Sequence, residues 1–263
     1  MIHNTKYKLT IGWLYPELMS TYGDRGNIIV LQKRCEWRGI GVEVLKLDLH
    51  FNLNQLAQCD LLFMGGAQDK QQKIVSEDLM KKRNALQNRI EDGIPGLYIC
   101  GAYQLLGRYY KEAERTIIPG LNIFDLYTGN PGLNVSRLIG NVAIEFQGVN
   151  SYSPSRCNHS YTLVGFENHG GRTYLGKNVK PLGKILKGFG NNGEDGTEGA
   201  IYKNSFGTYF HGPILPKNPE FADLLIKVAL EKKYGSPIDL SPLDNSIEMQ
   251  ARKTIANRLN VEL

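Results

Sequence analysis

The sequence predicts an α/β fold in which a mostly parallel central sheet is flanked by helices and carries an antiparallel extension. In the first hundred residues, short apolar runs typical of strands alternate with longer stretches whose apolar residues recur at helical spacing. Such alternation favours a parallel sheet covered by helices. From Leu121 to about Gly207 the apolar runs are short and separated by glycine-rich loops, which indicates antiparallel strands.

The first half of the chain is expected to hold four strands and two helices. The strands are predicted at Tyr7 to Trp13, at Val42 to Leu47, in the apolar run that starts at Asp60, and just before Cys100. The helices are predicted at Asp24 to Arg38, with Ile28, Leu31 and Cys35 on one face, and at Ser76 to Asp92. In parallel sheets chemistry collects at the carboxyl ends of the strands, and both Cys100 and the pair Gly65-Gly66 follow strand ends.

The second half combines short strands with two closing helices. Strands are predicted at Leu138 to Phe146, Ser160 to Phe166 and Ala200 to Tyr202. Asn218-Pro219-Glu220 is a typical helix start, and the helix is expected to bury a stripe of Phe221, Leu224, Leu225, Val228 and Ala229. After a proline-containing link, a last helix is predicted to pack through Ile247, Ala251, Ile255 and Leu259. We predict one domain over residues 1–235, followed by a linker and helix over 236–263 that packs on the domain or on a partner.

Composition excludes several classes of protein. Of the 263 residues 41% are hydrophobic and 22% charged, as in ordinary globular proteins. Basic and acidic residues are interspersed despite the net charge of +5, so nucleic-acid binding is not supported. There is no signal-peptide pattern and no apolar stretch near the ~18 residues of a membrane span. The four scattered cysteines suit a reducing compartment, so we expect a cytoplasmic protein with no transmembrane segment.

Cys100 is the candidate nucleophile. It ends a short apolar run and is followed by two small residues and an amphipathic stretch, a pattern that predicts a strand, a sharp and strained turn, and a helix start. The first free N–H groups of a helix favour thiolate over thiol and can hold a developing oxyanion. A buried, inert cysteine is the alternative, and the local context favours the nucleophile.

A cysteine nucleophile needs a base, and His211 is the best candidate among the five histidines. It ends the apolar run Phe206-Gly-Thr-Tyr-Phe-His211, at the carboxyl end of a predicted strand, where it could meet the turn at Cys100. A histidine at a strand end can also be purely structural. The possible pairing with Cys100 is what favours the catalytic interpretation.

Other motifs carry less information. Cys157, His159 and His169 lack the paired spacing and the fourth donor of a zinc site, so no metal site is expected. Gly188 to Gly193 reads G-x-G-x-x-G but lacks the strand, helix and acid of a dinucleotide site, so we expect a loop. Because there is no G-K-[ST] phosphate loop, ATP chemistry is not expected in this chain.

Several motifs together resemble the class I, triad-type glutamine amidotransferases, which have a flavodoxin-like fold. They are Cys100-Gly-Ala-Tyr-Gln104, the pair Gly65-Gly66, and Tyr209-Phe-His211-Gly-Pro. Further stretches are similar to the cobyric-acid-synthase-like branch, and within it to the glutaminase subunits of lipid II isoglutaminyl synthase. These are Tyr22-Gly-Asp24-Arg-Gly-Asn27, Gly165 to Thr173, and His211-Gly-Pro-Ile-Leu-Pro. The resemblance covers essentially the whole chain.

The resemblance implies hydrolysis of L-glutamine to glutamate and ammonia. Ammonia would pass to a Mur-ligase-like partner of the MurT type, which is expected to activate the D-glutamate carboxylate of the lipid II stem peptide with ATP and Mg. This chain itself is then expected to hold no cofactor, and the complex to lie in the cytoplasm, at the inner face of the membrane where lipid II is reached.

The resemblance also assigns residues. Cys100 corresponds to the nucleophile, His211 to its general base and Arg137 to an arginine that handles the substrate glutamine. Gln104 is expected to contact the substrate. The N–H groups of Gly101 and of the Gly65-Gly66 turn are expected to hold the tetrahedral oxyanion.

Two points stay open at the level of sequence. The triad pattern has a glutamate two positions after the histidine, where this chain has Pro213. The site therefore works as a dyad or takes an acid from elsewhere, with Asp24 and Glu167 as candidates. The alternative functions are amidation of a corrinoid and a non-catalytic binding module that keeps the fold.

Overall fold

Strands and helices alternate in the first hundred residues, and short strands dominate the rest. The computed structural model describes residues 6–146 and 161–263. The strands are β1 (Lys8–Leu14), β2 (Gly41–Leu47), β3 (Leu61–Met64), β4 (Gly96–Ile99), β5 (Tyr109–Lys111), β6 (Ile117–Pro119), β7 (Leu126–Gly129), β8 (Leu138–Phe146), β9 (Tyr161–His169), β10 (Arg172–Leu175), β11 (Gly183–Lys187), β12 (Thr197–Glu198), β13 (Ala200–Tyr202), β14 (Ser205–Thr208) and β15 (Phe210–His211). The α-helices are α1 (Arg25–Glu36), α2 (Leu53–Ala57), α3 (Asp69–Lys81), α4 (Arg83–Glu91), α5 (Gly101–Leu106), α6 (Pro219–Tyr234) and α7 (Ser246–Leu259).

The central sheet has six strands in the order β13-β14-β4-β3-β1-β2. Five of them run parallel, and only the edge strand β13 is antiparallel to its neighbour. The strands β3 and β4 lie inside the sheet and every one of their residues is buried, which explains their continuous apolar sequences. The predicted parallel sheet is confirmed.

Helices flank this sheet as the sequence predicts. Helix α1 packs against α6, and α6 lies against β1 and β3. Ile28, Leu31 and Cys35 of α1 are buried, and so are Phe221 and Leu225 of α6. In residues 6–146 and 161–263, no helix has the length and apolarity needed to cross a membrane.

The antiparallel extension consists of two further sheets. One has the strand order β10-β7-β5-β6, and the other has the order β12-β11-β8-β9-β15. The chain leaves the central sheet after Thr208 of β14 and joins β9 of the other sheet through Phe210 and His211. This change of sheet places His211 beyond the carboxyl edge of the central sheet.

One predicted helix differs from the structure, and several short elements are absent from the prediction. The helix predicted at Ser76 to Asp92 begins earlier, at Asp69, and is broken into α3 and α4 at Lys82. Lys82 has a non-helical backbone, and its buried ammonium group lies 2.5 Å from the Asp78 carboxylate. A buried ion pair at the break has no signature in the apolar periodicity. The short strands β5, β6, β7, β10, β11 and β12 are also absent from the prediction.

The last helix exists as predicted, and the predicted face is divided: Ile255 and Leu259 are partly buried, whereas its first half is open to solvent. Ile247 is 78% exposed, and Ala251 is exposed as well. The buried residues are Arg252 and Ala256, and α7 packs against β8, β9 and the turn at Leu215–Lys217. The helix is held there partly by polar contacts, since Arg252 Nε donates to the carbonyl of Lys217 at 2.9 Å. The domain boundary at residue 235 stays a prediction.

A buried arginine links the first helix to the last part of the chain. Arg34 of α1 is 1% exposed and forms two hydrogen bonds of 2.7 Å with the carboxylate of Asp223. Its Nη1 donates to Asn245 at 3.0 Å, and Arg38 binds the same Asp223. A buried guanidinium is tolerated only with such partners.

Replacing Asp223 should therefore destabilise the fold. Asp223→Ala leaves the Arg34 guanidinium buried with one of its three hydrogen bonds, the one to Asn245, and we expect the free energy of unfolding to fall by about 2 kcal/mol in urea titration. Glu36→Ala is the matched control, because Glu36 pairs with Lys33 on the exposed side of α1 and should change stability by less than about 0.5 kcal/mol. Equal effects of the two variants would contradict the structural role of Asp223.

Candidate active site

Cys100 occupies a strained turn between β4 and α5. Its φ of 49° and ψ of −102° are unusual for a residue other than glycine. Neighbouring bonds hold the turn, since the Cys100 N–H donates to the Thr208 carbonyl at 2.8 Å and its carbonyl accepts from the Gln104 N–H at 2.9 Å. The sharp turn predicted from the sequence is confirmed.

Glycine is required at position 101 by the space around it. A Cβ there would lie 2.9 Å from Cδ of Gln72 and 3.1 Å from the backbone nitrogen of Ala67. Ala102, the next residue, is fully buried, so a side chain of one carbon fits at this position. The small residues after Cys100 allow the start of α5 to lie against the loop that follows β3.

The structure brings His211 and Cys100 to the same glycine. A Cβ on Gly66 would lie 2.8 Å from Cε1 of His211 and 3.3 Å from Cβ of Cys100. His211 is fully buried, and its Nε2 has no hydrogen-bond partner in the described part of the chain. The two side chains that the sequence analysis pairs thus flank the backbone of Gly66.

Asp24 completes this cluster. Its Oδ1 lies 3.4 Å from Nδ1 of His211, and its Oδ2 accepts the N–H of Gly66 at 2.7 Å. Both Asp24 and His211 are fully buried. The carboxylate therefore holds the imidazole and the glycine backbone at once.

The cluster favours a protonated imidazole. Burial alone would lower the pKa of His211, but the negative charge of a Cys100 thiolate and the hydrogen-bonded Asp24 carboxylate outweigh burial and raise this pKa to about 10. A protonated imidazole beside a cysteine is the arrangement used in cysteine nucleophilic catalysis.

Of the two acids that the sequence leaves open, only Asp24 contacts His211. Glu167 is fully buried, but its carboxylate accepts the N–H groups of Phe189 and Gly190 at 2.7 and 2.8 Å. Its other neighbour is His169, at 3.8 Å. Glu167 therefore holds the loop at 188–193, which is a loop as predicted, whereas the acid bonded to His211 is Asp24.

A cleft of about 540 Å³ opens onto Cys100. Arg137 and Gln104, both expected to bind substrate, line it, together with Thr21, Tyr22, Ala67, Gln68, Asp69, Lys70, Gln72, Tyr110, Asn168, His169, Gly170 and Gly171. Gln104 is almost fully buried; its Nε2 donates to the Tyr209 hydroxyl at 3.1 Å, whereas its Oε1 has no partner among the described residues. A free buried acceptor in a cleft is suited to a ligand donor.

Arg137 is oriented by a chain of contacts across the mouth of the cleft. Its Nε donates to Oδ1 of Asn168 at 2.9 Å, and its Nη2 donates to the Asn168 carbonyl at 2.8 Å. The Asn168 amide in turn donates to the Tyr22 hydroxyl at 3.1 Å. The half-exposed Tyr22 ring lies edge-on to the His211 ring at a centroid distance of 4.8 Å.

The oxyanion site differs in one donor from the sequence prediction. The N–H of Gly66 is already bonded to Asp24, so it is not free for a ligand. The next amide is better placed, because the nitrogen of Ala67 lies close to Gly101 and donates to no acceptor in residues 6–146 and 161–263. Ala67 and Gly101 are therefore the pair of N–H groups available beside Cys100.

Sequence reasoning missed several residues of the cleft. His169 lines it as a buried imidazole whose pKa is lowered by burial; it stacks on Tyr209 with centroids 3.6 Å apart, and its Nδ1 lies 2.7 Å from the Gly171 carbonyl. Two members of the zinc motif considered from the sequence, Cys157 and His159, lie outside the described residues. Among the residues that are described, no cluster of three metal-ligating side chains occurs. The family-like stretch Gly165 to Thr173 is the sequence signal that contains both His169 and Asn168.

Titration of His211 distinguishes the roles of Asp24 and Glu167. Asp24→Asn removes the carboxylate that stabilises the imidazolium, so we expect the pKa of His211 to fall from about 10 by one pH unit or more. NMR titration of the ¹³C-labelled ring measures this pKa. Glu167→Gln is the matched control and should leave that pKa nearly unchanged. A larger fall in the Glu167 variant would show that the assignment of the acid is incorrect.

Comparisons with known proteins agree with this geometry. Residues 10–219 match the CobB/CobQ-like glutamine amidotransferase domain. The chain is 41% identical over 254 residues to the GatD subunit of the glutamine-hydrolysing lipid II isoglutaminyl synthase of Staphylococcus aureus strain N315, covering 97% of each chain. It is also 41% identical to the GatD subunit of Streptococcus pneumoniae strain R6, covering 94% of this chain and 90% of that one.

Solved structures support the fold. One described as a glutamine amidotransferase matches with a TM-score of 0.52 and 13% identity over 83% of this chain and 98% of the other. The glutaminase domain of Trypanosoma brucei CTPS with bound acivicin also gives a TM-score of 0.52, with 11% identity over 89% of this chain and 96% of that domain. The expected class I amidotransferase fold is confirmed, and the chain belongs to the family of CobB/CobQ-like glutamine amidotransferases.

Proposed function

We propose that this chain is the glutaminase subunit of a lipid II isoglutaminyl synthase. It hydrolyses L-glutamine and delivers the ammonia to a Mur-ligase-like partner, which amidates the D-glutamate of the peptidoglycan stem peptide. The similarity to two GatD subunits over nearly the full length of each chain supports the assignment. The observation that carries the chemistry is the meeting of Cys100 and His211 at Gly66, with Asp24 behind the imidazole.

The first half-reaction forms a thioester. The Cys100 thiolate attacks the carboxamide carbon of glutamine, and the carbonyl oxygen becomes an oxyanion held by the N–H groups of Ala67 and Gly101. In other enzymes, removal of one such donor raises the activation free energy by about 3–4 kcal/mol. His211 then donates its proton to the departing nitrogen, ammonia leaves, and the γ-glutamyl group stays on the sulfur.

The second half-reaction releases glutamate. The now neutral His211 accepts a proton from a water molecule as that water attacks the thioester carbon. The bond between carbon and sulfur breaks, Cys100 leaves as a thiolate, and His211 is again an imidazolium. Asp24 fixes the ring orientation through Nδ1 in both half-reactions, so we assign it as the third member of the catalytic group.

The α-carboxylate and α-ammonium groups of glutamine would bind at the mouth of the cleft. Arg137 suits the α-carboxylate because its planar guanidinium can donate two parallel hydrogen bonds to a carboxylate. Asn168 already holds one edge of the guanidinium, which orients the rest of the group. Gln104 offers its free Oε1 as an acceptor for the substrate.

The partner and the location follow from the same proposal. A glutaminase subunit supplies ammonia, so the carboxylate must be activated elsewhere, and we assign ATP and Mg to the Mur-ligase-like subunit. The name of the relatives describes such a subunit of a glutamine-hydrolysing synthase. We place the complex in the cytoplasm, where its lipid-linked substrate is reached at the inner face of the membrane.

Corrinoid amidation is the alternative within the family. The chain is 32% identical to a probable cobyric acid synthase of Methanococcus maripaludis, but the match covers 72% of this chain and only 37% of that protein. The two GatD subunits are matched along 97% and 90% of their length. A non-catalytic binding module is disfavoured, because the nucleophile and the base flank the same glycine and the acid contacts the base.

Amidation by the co-purified complex tests the function directly. The wild-type chain with its Mur-ligase-like partner should amidate lipid II with either glutamine or ammonium chloride as nitrogen donor. Cys100→Ala should abolish the glutamine-dependent reaction and leave the ammonium-dependent reaction unchanged, because the thiolate acts only in releasing ammonia. Mass spectrometry of the stem peptide measures both.

Two results would contradict the proposal. Equal glutamine-dependent rates for the wild-type and Cys100→Ala proteins would remove Cys100 from the mechanism. A complex that amidates a corrinoid but not lipid II would keep the chemistry and overturn the substrate assignment.

Arg137→Ala should act mainly on substrate binding. Loss of the guanidinium removes an interaction that is present before and during the reaction, so we expect KM for glutamine to rise by about 10- to 100-fold with little change in kcat. Arg258→Ala, on the exposed side of α7, is the control and should behave as wild type. An unchanged KM in the Arg137 variant would exclude its role in binding the carboxylate.

A further inference from the structure

The cleft holds one carboxylate that the mechanism does not use. Asp69 is the first residue of α3 and lines the same cavity as Cys100 and Arg137. Among the residues that line this cavity it is the only acid, and Arg137 and Lys70 are the cationic side chains. The cleft therefore presents both signs of charge around its nucleophile.

Asp69 has no cationic partner of its own in the part of the chain that the structure describes. Its Oδ1 accepts the Tyr110 hydroxyl at 3.3 Å, and no lysine, arginine or histidine lies within ion-pair distance in residues 6–146 and 161–263. The nearby Glu112 adds a second negative charge, which Lys73 neutralises at 2.8 Å. Burial and the charge of Glu112 raise the pKa of the Asp69 carboxyl. Asp69 is thus a carboxylate that a bound cation would stabilise.

Free glutamine brings such a cation into the cleft. Its α-carbon lies three bonds from the carboxamide carbon, so the α-ammonium and α-carboxylate groups both remain close to Cys100 during attack. Arg137 matches the α-carboxylate, and the α-ammonium then needs an acceptor that is itself negative or strongly polar. Tyr110 fixes one oxygen of Asp69 and leaves the other for this group.

We propose that Asp69 binds the α-ammonium group of glutamine and restricts the site to free α-amino acids. The inference rests on the proposed glutaminase activity and adds the specificity of its substrate site. Asp69 binds the α-ammonium group and Arg137 binds the α-carboxylate, so amides that lack the amino group are poor substrates. Gln104 adds its free carbonyl oxygen to the same group of acceptors.

A purely structural role for Asp69 makes a different prediction. An acid in the first turn of a helix stabilises the helix through its dipole. Loss of that stabilisation would lower thermal stability and would affect all substrates alike. Substrate selectivity separates the two roles.

The test compares L-glutamine with glutaramate, which is glutamine without its α-amino group. Ammonia release gives kcat/KM for both substrates with the wild-type chain and its Mur-ligase-like partner. We expect Asp69→Asn to lower kcat/KM for glutamine by about 30-fold and to leave that for glutaramate within about 3-fold, so that the preference for glutamine is largely lost. Glu77→Gln, which removes an exposed carboxylate from the same helix, should keep the wild-type ratio.

Calorimetric binding provides a second measurement that does not depend on turnover. Cys100→Ala should bind glutamine more tightly than glutaramate, and adding Asp69→Asn should weaken binding of glutamine alone. Equal losses for both amides, or no loss for glutamine, would overturn the role of Asp69 while the glutaminase assignment stands. A wild-type complex that neither binds nor hydrolyses glutamine would overturn both.

Discussion

The buried carboxylate of Asp24 is the contact on which the rest of the site depends. One of its oxygens holds Nδ1 of His211 and the other holds the N–H of Gly66, so a single side chain connects the end of β3, the start of α1 and the strand β15. Gly66 in turn leaves just enough room for His211 and Cys100 to approach each other. Because all these groups are buried, none can move without leaving a charge or a donor unpaired.

The change of sheet after β14 explains how a residue late in the chain reaches a nucleophile in the middle of it. Strand β14 lies beside β4, so Thr208 and Ile99 end side by side and the Thr208 carbonyl accepts the Cys100 N–H. The next residues join β9 instead, which turns His211 over the carboxyl edge of the central sheet. The antiparallel extension also supplies Arg137 and Asn168. The cleft thus forms where the chain passes from β14 of the parallel sheet to β15 of the antiparallel sheet.

The sequence predicted the parts of the site that depend on local pattern. An apolar run followed by small residues predicts the turn at Cys100, and the end of a second run predicts His211. Asp69 and the free N–H of Ala67 could not be predicted, because their roles come from which atoms face the cavity after folding. The buried face of α7 was predicted only in part, since Arg252 takes a position that periodicity assigns to apolar residues. Resemblance identified the motifs, whereas the contact between Asp24 and His211 arises only when distant parts of the chain fold together.

The strained backbone of Cys100 implies a trade-off between folding stability and catalysis. A φ of 49° with a ψ of −102° is readily adopted by glycine and costs a residue with a side chain about 1–3 kcal/mol. The fold would therefore be more robust with glycine in place of its own nucleophile. A cysteine in this conformation therefore places function above stability at this position.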